Sequence, residues 1–125
     1  MSGPVWRVLA ADDDSTALLL TRAALKADDF LVTVVDDGEV ALAEFRRNEF
    51  DIVLLDVEMP GLDGFEIGAA IREMRGPDFP IVLVTGRDDL AFVSHAQALA
   101  ADYVAKPVDW QSLPGLLRRL LMSGR

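Results

Sequence analysis

Short, unbroken apolar runs recur along this chain, separated by segments of helical period. The runs are Val5–Ala11, Leu31–Val35, Ile52–Leu55, Ile81–Val84 and Tyr103–Ala105. The helical segments are Ser15–Ala27, Glu39–Arg47, Phe65–Met74, Leu90–Ala100 and a leucine-rich stretch ending near Met122. Runs that do not alternate with polar residues imply strands buried on both faces. Helical crossovers between such strands imply a parallel sheet with helices on both sides. The expected fold is therefore α/β and doubly wound, built from five β-α units. A chain of 125 residues suits one domain, expected to span 1–125 with an ordered core of about 5–122. Asp109 reads at first as the cap of the last helix, but Pro114 would then remove an internal hydrogen bond. A regular start near Ser112 puts Pro114 in the first turn, where proline is tolerated.

In an open sheet of this kind, ligands bind beyond the carboxyl ends of the strands. Four of the five runs end in residues suited to phosphate or metal chemistry: Asp12 and Asp13, Asp56, Thr85, and Lys106. The second run ends at Asp36-Asp37, assigned to a loop. Three carboxylates in one cleft resist full ionisation unless a cation neutralises them. Oxygen-only ligands suit Mg²⁺ or Mn²⁺. A lysine offers a point charge to a phosphoryl oxygen or to Asp56, and a threonine offers a hydroxyl. A carboxylate can accept a phosphoryl group as a nucleophile, and the transfer needs positioning and charge neutralisation more than covalent help. Each of these residues alone is ordinary. Their joint placement at successive strand ends is the signal.

The net charge of −9 excludes direct nucleic-acid binding through this surface, because phosphates would be repelled. The absence of cysteine excludes disulfides and thiolate chemistry. No apolar stretch approaches the ~18 residues of a membrane span, and the N-terminus lacks a signal-peptide core. A cytoplasmic domain with no membrane contact is expected.

With these residues in view, the chain resembles the receiver domain of two-component response regulators over nearly its whole length. The resemblance is carried by Asp12-Asp13-Asp14, by Asp56-Val57-Glu58-Met59-Pro60-Gly61-Leu62-Asp63-Gly64, by Val84-Thr85-Gly86, and by Asp102-Tyr103-Val104-Ala105-Lys106-Pro107. It implies a flavodoxin-like sheet in the order 2-1-3-4-5 with five helices. It implies that Asp56 is phosphorylated, that Asp12 and Asp13 position Mg²⁺, and that the Glu58 backbone carbonyl is a further ligand. Thr85 and Lys106 would contact the phosphoryl group, and Tyr103 would move inward as Thr85 turns toward it. The donor would be the histidine of a sensor kinase or a phosphotransfer protein, docking near Ser15, Thr16 and Leu19. The response would change the surface of the fourth helix, last strand and fifth helix. The domain would promote its own phosphotransfer and dephosphorylation without being an enzyme acting on a separate substrate.

Glu58 and Arg87 flank the site with opposite charges, as either a tuning lid or a solvated pair worth ~0–1 kcal/mol. The family often has glycine where this chain has Leu99, and larger residues where it has Leu9-Ala10-Ala11. A different helix end and looser packing are therefore expected. His95 is the one histidine and reads as a helix-surface residue. Trp110 is a candidate for partner contact. The stretch from Lys106 to Trp110 is similar to receivers joined to diguanylate cyclase modules, which makes such an output domain one weak expectation. Homodimerisation is left open. Two other readings stand beside this one: a receiver-like scaffold that binds partners without phosphorylation, and an aspartyl-phosphate phosphatase. The second would want an aspartate where Glu58 stands.

Overall fold

The computed structural model describes residues 5–26, 29–86 and 89–123. Strands and helices alternate: β1 (Trp6–Ala11), α1 (Ser15–Ala24), β2 (Phe30–Val35), α2 (Gly38–Arg47), β3 (Ile52–Asp56), α3 (Gly64–Arg75), β4 (Ile81–Thr85), α4 (Leu90–Ala98), β5 (Asp102–Ala105) and α5 (Leu113–Met122). All strand pairs are parallel, in the order β2-β1-β3-β4-β5. The unbroken apolar runs follow from burial on both faces. Leu9, Ala11, Val53, Leu55, Ile81 and Leu83 pack under α2, α3 and α4. Val8, Ala10, Ile52, Leu54, Val82 and Val84 pack against Leu113, Leu117 and Leu121 of α5. No helix among the described residues is long and apolar enough to cross a membrane.

Aspartate starts four of the helices. Asp14, Asp37, Asp63 and Asp89 each accept a backbone N–H in the following turn, which satisfies donors the helix leaves unpaired. Asp63 and Glu66 complete a reciprocal capping box. α5 has no such cap. It begins at Leu113 with Pro114 in its first turn, and Asp109 instead accepts from the Ser112 hydroxyl at 2.6 Å. Arg118 of α5 donates to both carboxylate oxygens of Asp29, at 2.6 and 2.9 Å, and ties this helix to the turn before β2.

Three local expectations need correction or sharpening. α1 ends at Ala24 rather than Ala27, and the Leu25 N–H closes onto the Thr21 carbonyl. Beside Ala10 and Ala11 lies a cavity of only about 10 Å³, lined also by Leu18, Val104 and Trp110, and both alanines are buried in the core. α4 ends at Ala98 rather than Ala100, with Leu99 in ordinary right-handed geometry. The left-handed residue is Ala100, at φ 54°. The Ala100 N–H reaches the Gln97 carbonyl at 2.9 Å and the Ala101 N–H reaches the Ala96 carbonyl at 3.0 Å. This is the double closure that usually employs glycine at the left-handed position. A side chain there costs roughly 1–2 kcal/mol, and the extra freedom of an unfolded glycine returns part of it. Ala100→Gly is therefore expected to stabilise the fold by about 1 kcal/mol, read as a higher urea midpoint at unchanged slope.

Candidate functional site

The strand order reverses at β1, whose neighbours β2 and β3 lie on opposite sides. The carboxyl ends of β1, β3, β4 and β5 thus converge on one cleft. Asp12 follows β1 directly, Asp56 ends β3, Thr85 ends β4 and Lys106 follows β5. Backbone bonds between the strand ends hold these positions together. The Asp12 N–H donates to Val35 at 3.1 Å, Val57 to Val84 at 3.0 Å, and Lys106 to Thr85 at 2.8 Å. The Lys106–Pro107 peptide is cis.

The side chains meet as the strand ends require. Asp56 is 2% exposed, and Asp12 and Thr85 are also buried, whereas Asp13 is open to solvent. One carboxylate oxygen from each of Asp12, Asp13 and Asp56 lies within 4.8 Å of the other two. Lys106 Nζ donates to Asp56 Oδ1 at 3.1 Å, and the Glu58 N–H points to the same oxygen at 3.4 Å. Asp12 Oδ1 accepts from the Asp14 N–H at 2.9 Å, which orients its carboxylate. Burial pushes the Asp56 carboxyl up to about 6, the bond to Lys106 pulls it back, and the charge of Asp12 pushes it up again. Burial alone would lower Lys106, but its bond to Asp56 and the charges of Asp56, Asp12 and Asp13 raise it overall. Among the described residues, one ammonium thus faces three carboxylates. That excess of hard oxygen donors over positive charge fits a small divalent cation.

Two further expected residues, Glu58 and Tyr103, lie at the surface. Glu58 is exposed and lines an open cleft with Asp13, Met59, Asp63 and Phe65. Tyr103 is 44% exposed, its ring edge-on to Phe92 at 5.3 Å. Arg87 lies outside the described residues. His95 is a surface residue of α4, and it also stacks flat on Phe65, with ring centroids 3.7 Å apart. Phe65 touches Phe92 in turn, so an aromatic row runs from the start of α3 through α4 to β5. Helical spacing in α3 and α4 does not reveal that contact, because it joins two separate helices. Gly64 opens α3. A methyl there would stand 2.7 Å from the Asp56 carbonyl oxygen.

Comparison with known proteins bears on the same residues. The chain matches the family described as the response regulator receiver domain over residues 8–118. It is 39% identical over 115 residues to the transcriptional regulatory protein CseB of Streptomyces avermitilis, covering 91% of this chain and 48% of that protein. It is 37% identical to the response regulator MprA of Mycobacterium leprae, covering 92% of this chain and 50% of that protein. The chain thus spans about half the length of these curated relatives. Among solved structures, a CheY-like receiver domain from Methanospirillum hungatei superimposes with a TM-score of 0.86 at 26% identity, covering 94% of each chain. Chemotaxis response regulator CheY4 of Vibrio cholerae superimposes at 0.84 with 28% identity, covering 93% of this chain and 98% of that one. With the five-stranded order, the acidic cleft and a family match that takes in every strand-end residue described, this chain belongs to the receiver domains of two-component response regulators.

Proposed function

We propose that this domain is a phosphoacceptor and that Asp56 is the residue it uses. The observation that carries the reading is the buried Asp56 carboxylate, bonded to Lys106 and beside Asp12 and Asp13 at the mouth of the sheet. An Asp56 oxygen attacks the phosphorus of a phosphohistidine on a sensor kinase or phosphotransfer protein. The new P–O bond forms as the P–N bond breaks, and its electron pair leaves with the imidazole nitrogen. Asp12, Asp13, Asp56 and the Glu58 carbonyl would hold Mg²⁺, or Mn²⁺, which when bound offsets the negative charge of the carboxylates and phosphoryl oxygens. Lys106 needs little movement to follow the charge, since it already rests on Asp56. Thr85 supplies a hydroxyl from the end of the next strand.

Phosphorylation adds about −1.5 to −2 charges at this point. Lys106 and Thr85 drawn toward that charge would free space for the exposed Tyr103, altering the α4-β5-α5 surface. Glu58 with Arg87 would tune how long the phosphoryl group survives. Several similar proteins are transcriptional regulators by name, which supports control of transcription as the output class, exerted through an attached or separate partner in the cytoplasm.

Incubation with acetyl phosphate and Mg²⁺, followed by intact-protein mass spectrometry, tests the reading. The native chain is expected to gain one phosphoryl group, and none without Mg²⁺ or in Asp56→Asn. A native chain that gains none at any time point sinks it, as does an adduct that survives in Asp56→Asn.

A further inference from the structure

The loop after β3 carries Glu58, and one wall of that loop comes from a helix with no residue in the acidic cleft. The first turn of α2 lies against Pro60, Gly61 and Leu62. The Gly38 N–H faces the Pro60 carbonyl at 3.5 Å. A methyl built on Gly38 would lie 1.8 Å from the Leu62 carbonyl oxygen and 2.7 Å from its carbon, both backbone atoms that no side-chain rotation can clear. Gly61 has φ +77°, and a methyl on it would meet Glu39 and Asp37 of the same α2 start at 3.5–3.6 Å. The other end of the loop is pinned too, by the Gly64 N–H bonding to the Val57 carbonyl at 3.0 Å. Between these two supports sit Glu58 and Met59, next to Asp56. Gly38 has no need of glycine's conformational freedom, since its φ is ordinary. What it needs is the missing side chain.

We propose that Gly38 is a positioning residue for the metal-binding loop: its bare backbone lets α2 seat the Val57–Asp63 loop so that Glu58 faces the acidic cleft. This rests on the Mg²⁺-dependent reading above and extends it to an element outside the site. A residue that orients ligands without touching the metal typically changes affinity by about 10–100-fold. In the full chain, Gly38→Ala is therefore expected to bind Mg²⁺ at least ~10-fold more weakly by calorimetric titration. The amides of the loop should exchange faster with deuterium, and the cooperative melt should remain. Gly115→Ala adds the same methyl where nothing lies within 4 Å and should bind Mg²⁺ like the native chain. A folded Gly38→Ala with native Mg²⁺ affinity and native loop exchange overturns the proposal. If Gly38→Ala loses its cooperative melt, Asp37→Ala decides. That variant removes the bonds from Asp37 to the Glu39 and Val40 N–H groups that hold the α2 start. Asp36→Ala, which removes one charge next door and no cap, is its reference. Weaker Mg²⁺ binding in Asp37→Ala than in Asp36→Ala supports the proposal, and equal binding overturns it. A native chain that binds no Mg²⁺ overturns the underlying reading, and the positioning role with it.

Discussion

Asparagine in place of Asp56 is expected to make the metal-free domain more stable at pH 7, by about 1–3 kcal/mol. The buried carboxyl titrates at about 6 when folded, against 3.8 for the ordinary group. Each unit of such a difference is worth about 1.4 kcal/mol. The pKa is raised by folding, so the folded state holds the proton more tightly than the unfolded chain does. The stabilisation from this group is complete below about pH 4 and is lost as pH climbs through about 6. At pH 7 the native side chain is charged, buried and only partly offset by Lys106, whereas asparagine has no charge to bury. Urea titrations in EDTA should show a gap between Asp56→Asn and native at pH 7 that closes toward pH 4. Saturating Mg²⁺ should narrow the pH 7 gap from the other side, because it binds the native fold and stabilises it by mass action. Equal midpoints at pH 7, or a gap that widens on acidification, would contradict this account.

Arg72→Met is expected to destabilise the fold by about 3 kcal/mol. Arg72 projects from the last turns of α3. Its guanidinium donates to the carbonyls of Leu99 and of Gly76, Phe79 and Ala100, the last three at 2.9, 2.7 and 2.9 Å. Four carbonyls from the end of α3, the approach to β4 and the end of α4 thus share one cation. Burial lowers the guanidinium's pKa and the charge of Asp78 raises it, but arginine stays protonated throughout. A hydrogen bond to a charged group contributes roughly 1.5–3 kcal/mol, and a cluster on one residue does not add linearly. Water replaces part of what is lost, because the site is half-exposed. Methionine keeps the aliphatic stem and removes only the fork. Lysine, with one compact head, cannot span the four acceptors and should recover a minor share. Urea midpoints of the three proteins give the order directly, and a methionine variant as stable as native would show that the carbonyls are served equally well by water.

The sequence makes legible whatever depends on neighbours in the chain. Period, burial and strand-end chemistry are local, so the five runs, the sheet class and the grouping of Asp12, Asp13, Asp56, Thr85 and Lys106 could all be read from it. The start of the first helix at Ser15 was legible from its period, whereas the Asp63 cap was read as part of a loop and the stops at Ala24 and Ala98 depend on backbone closure. The roles of Arg72 and Gly38 were hidden for a different reason. An arginine late in an amphipathic helix looks like an ordinary surface charge, and its partners are carbonyls from distant turns. Gly38 looks like a helix-start glycine, and the reason for it lies in the backbone at Leu62. The stack of His95 on Phe65 likewise depends on how α3 and α4 lie side by side.

The strand order also bears on the order in which this fold can assemble. β1 pairs with both β2 and β3, and all three strands are complete by Asp56, so the three carboxylates belong to the first half of the polypeptide. Their ammonium partner lies 50 residues further on, at the end of an edge strand that needs β4 in place first. Any partly folded state with the first three strands paired and β5 still free therefore carries the whole acidic cluster without its counter-charge.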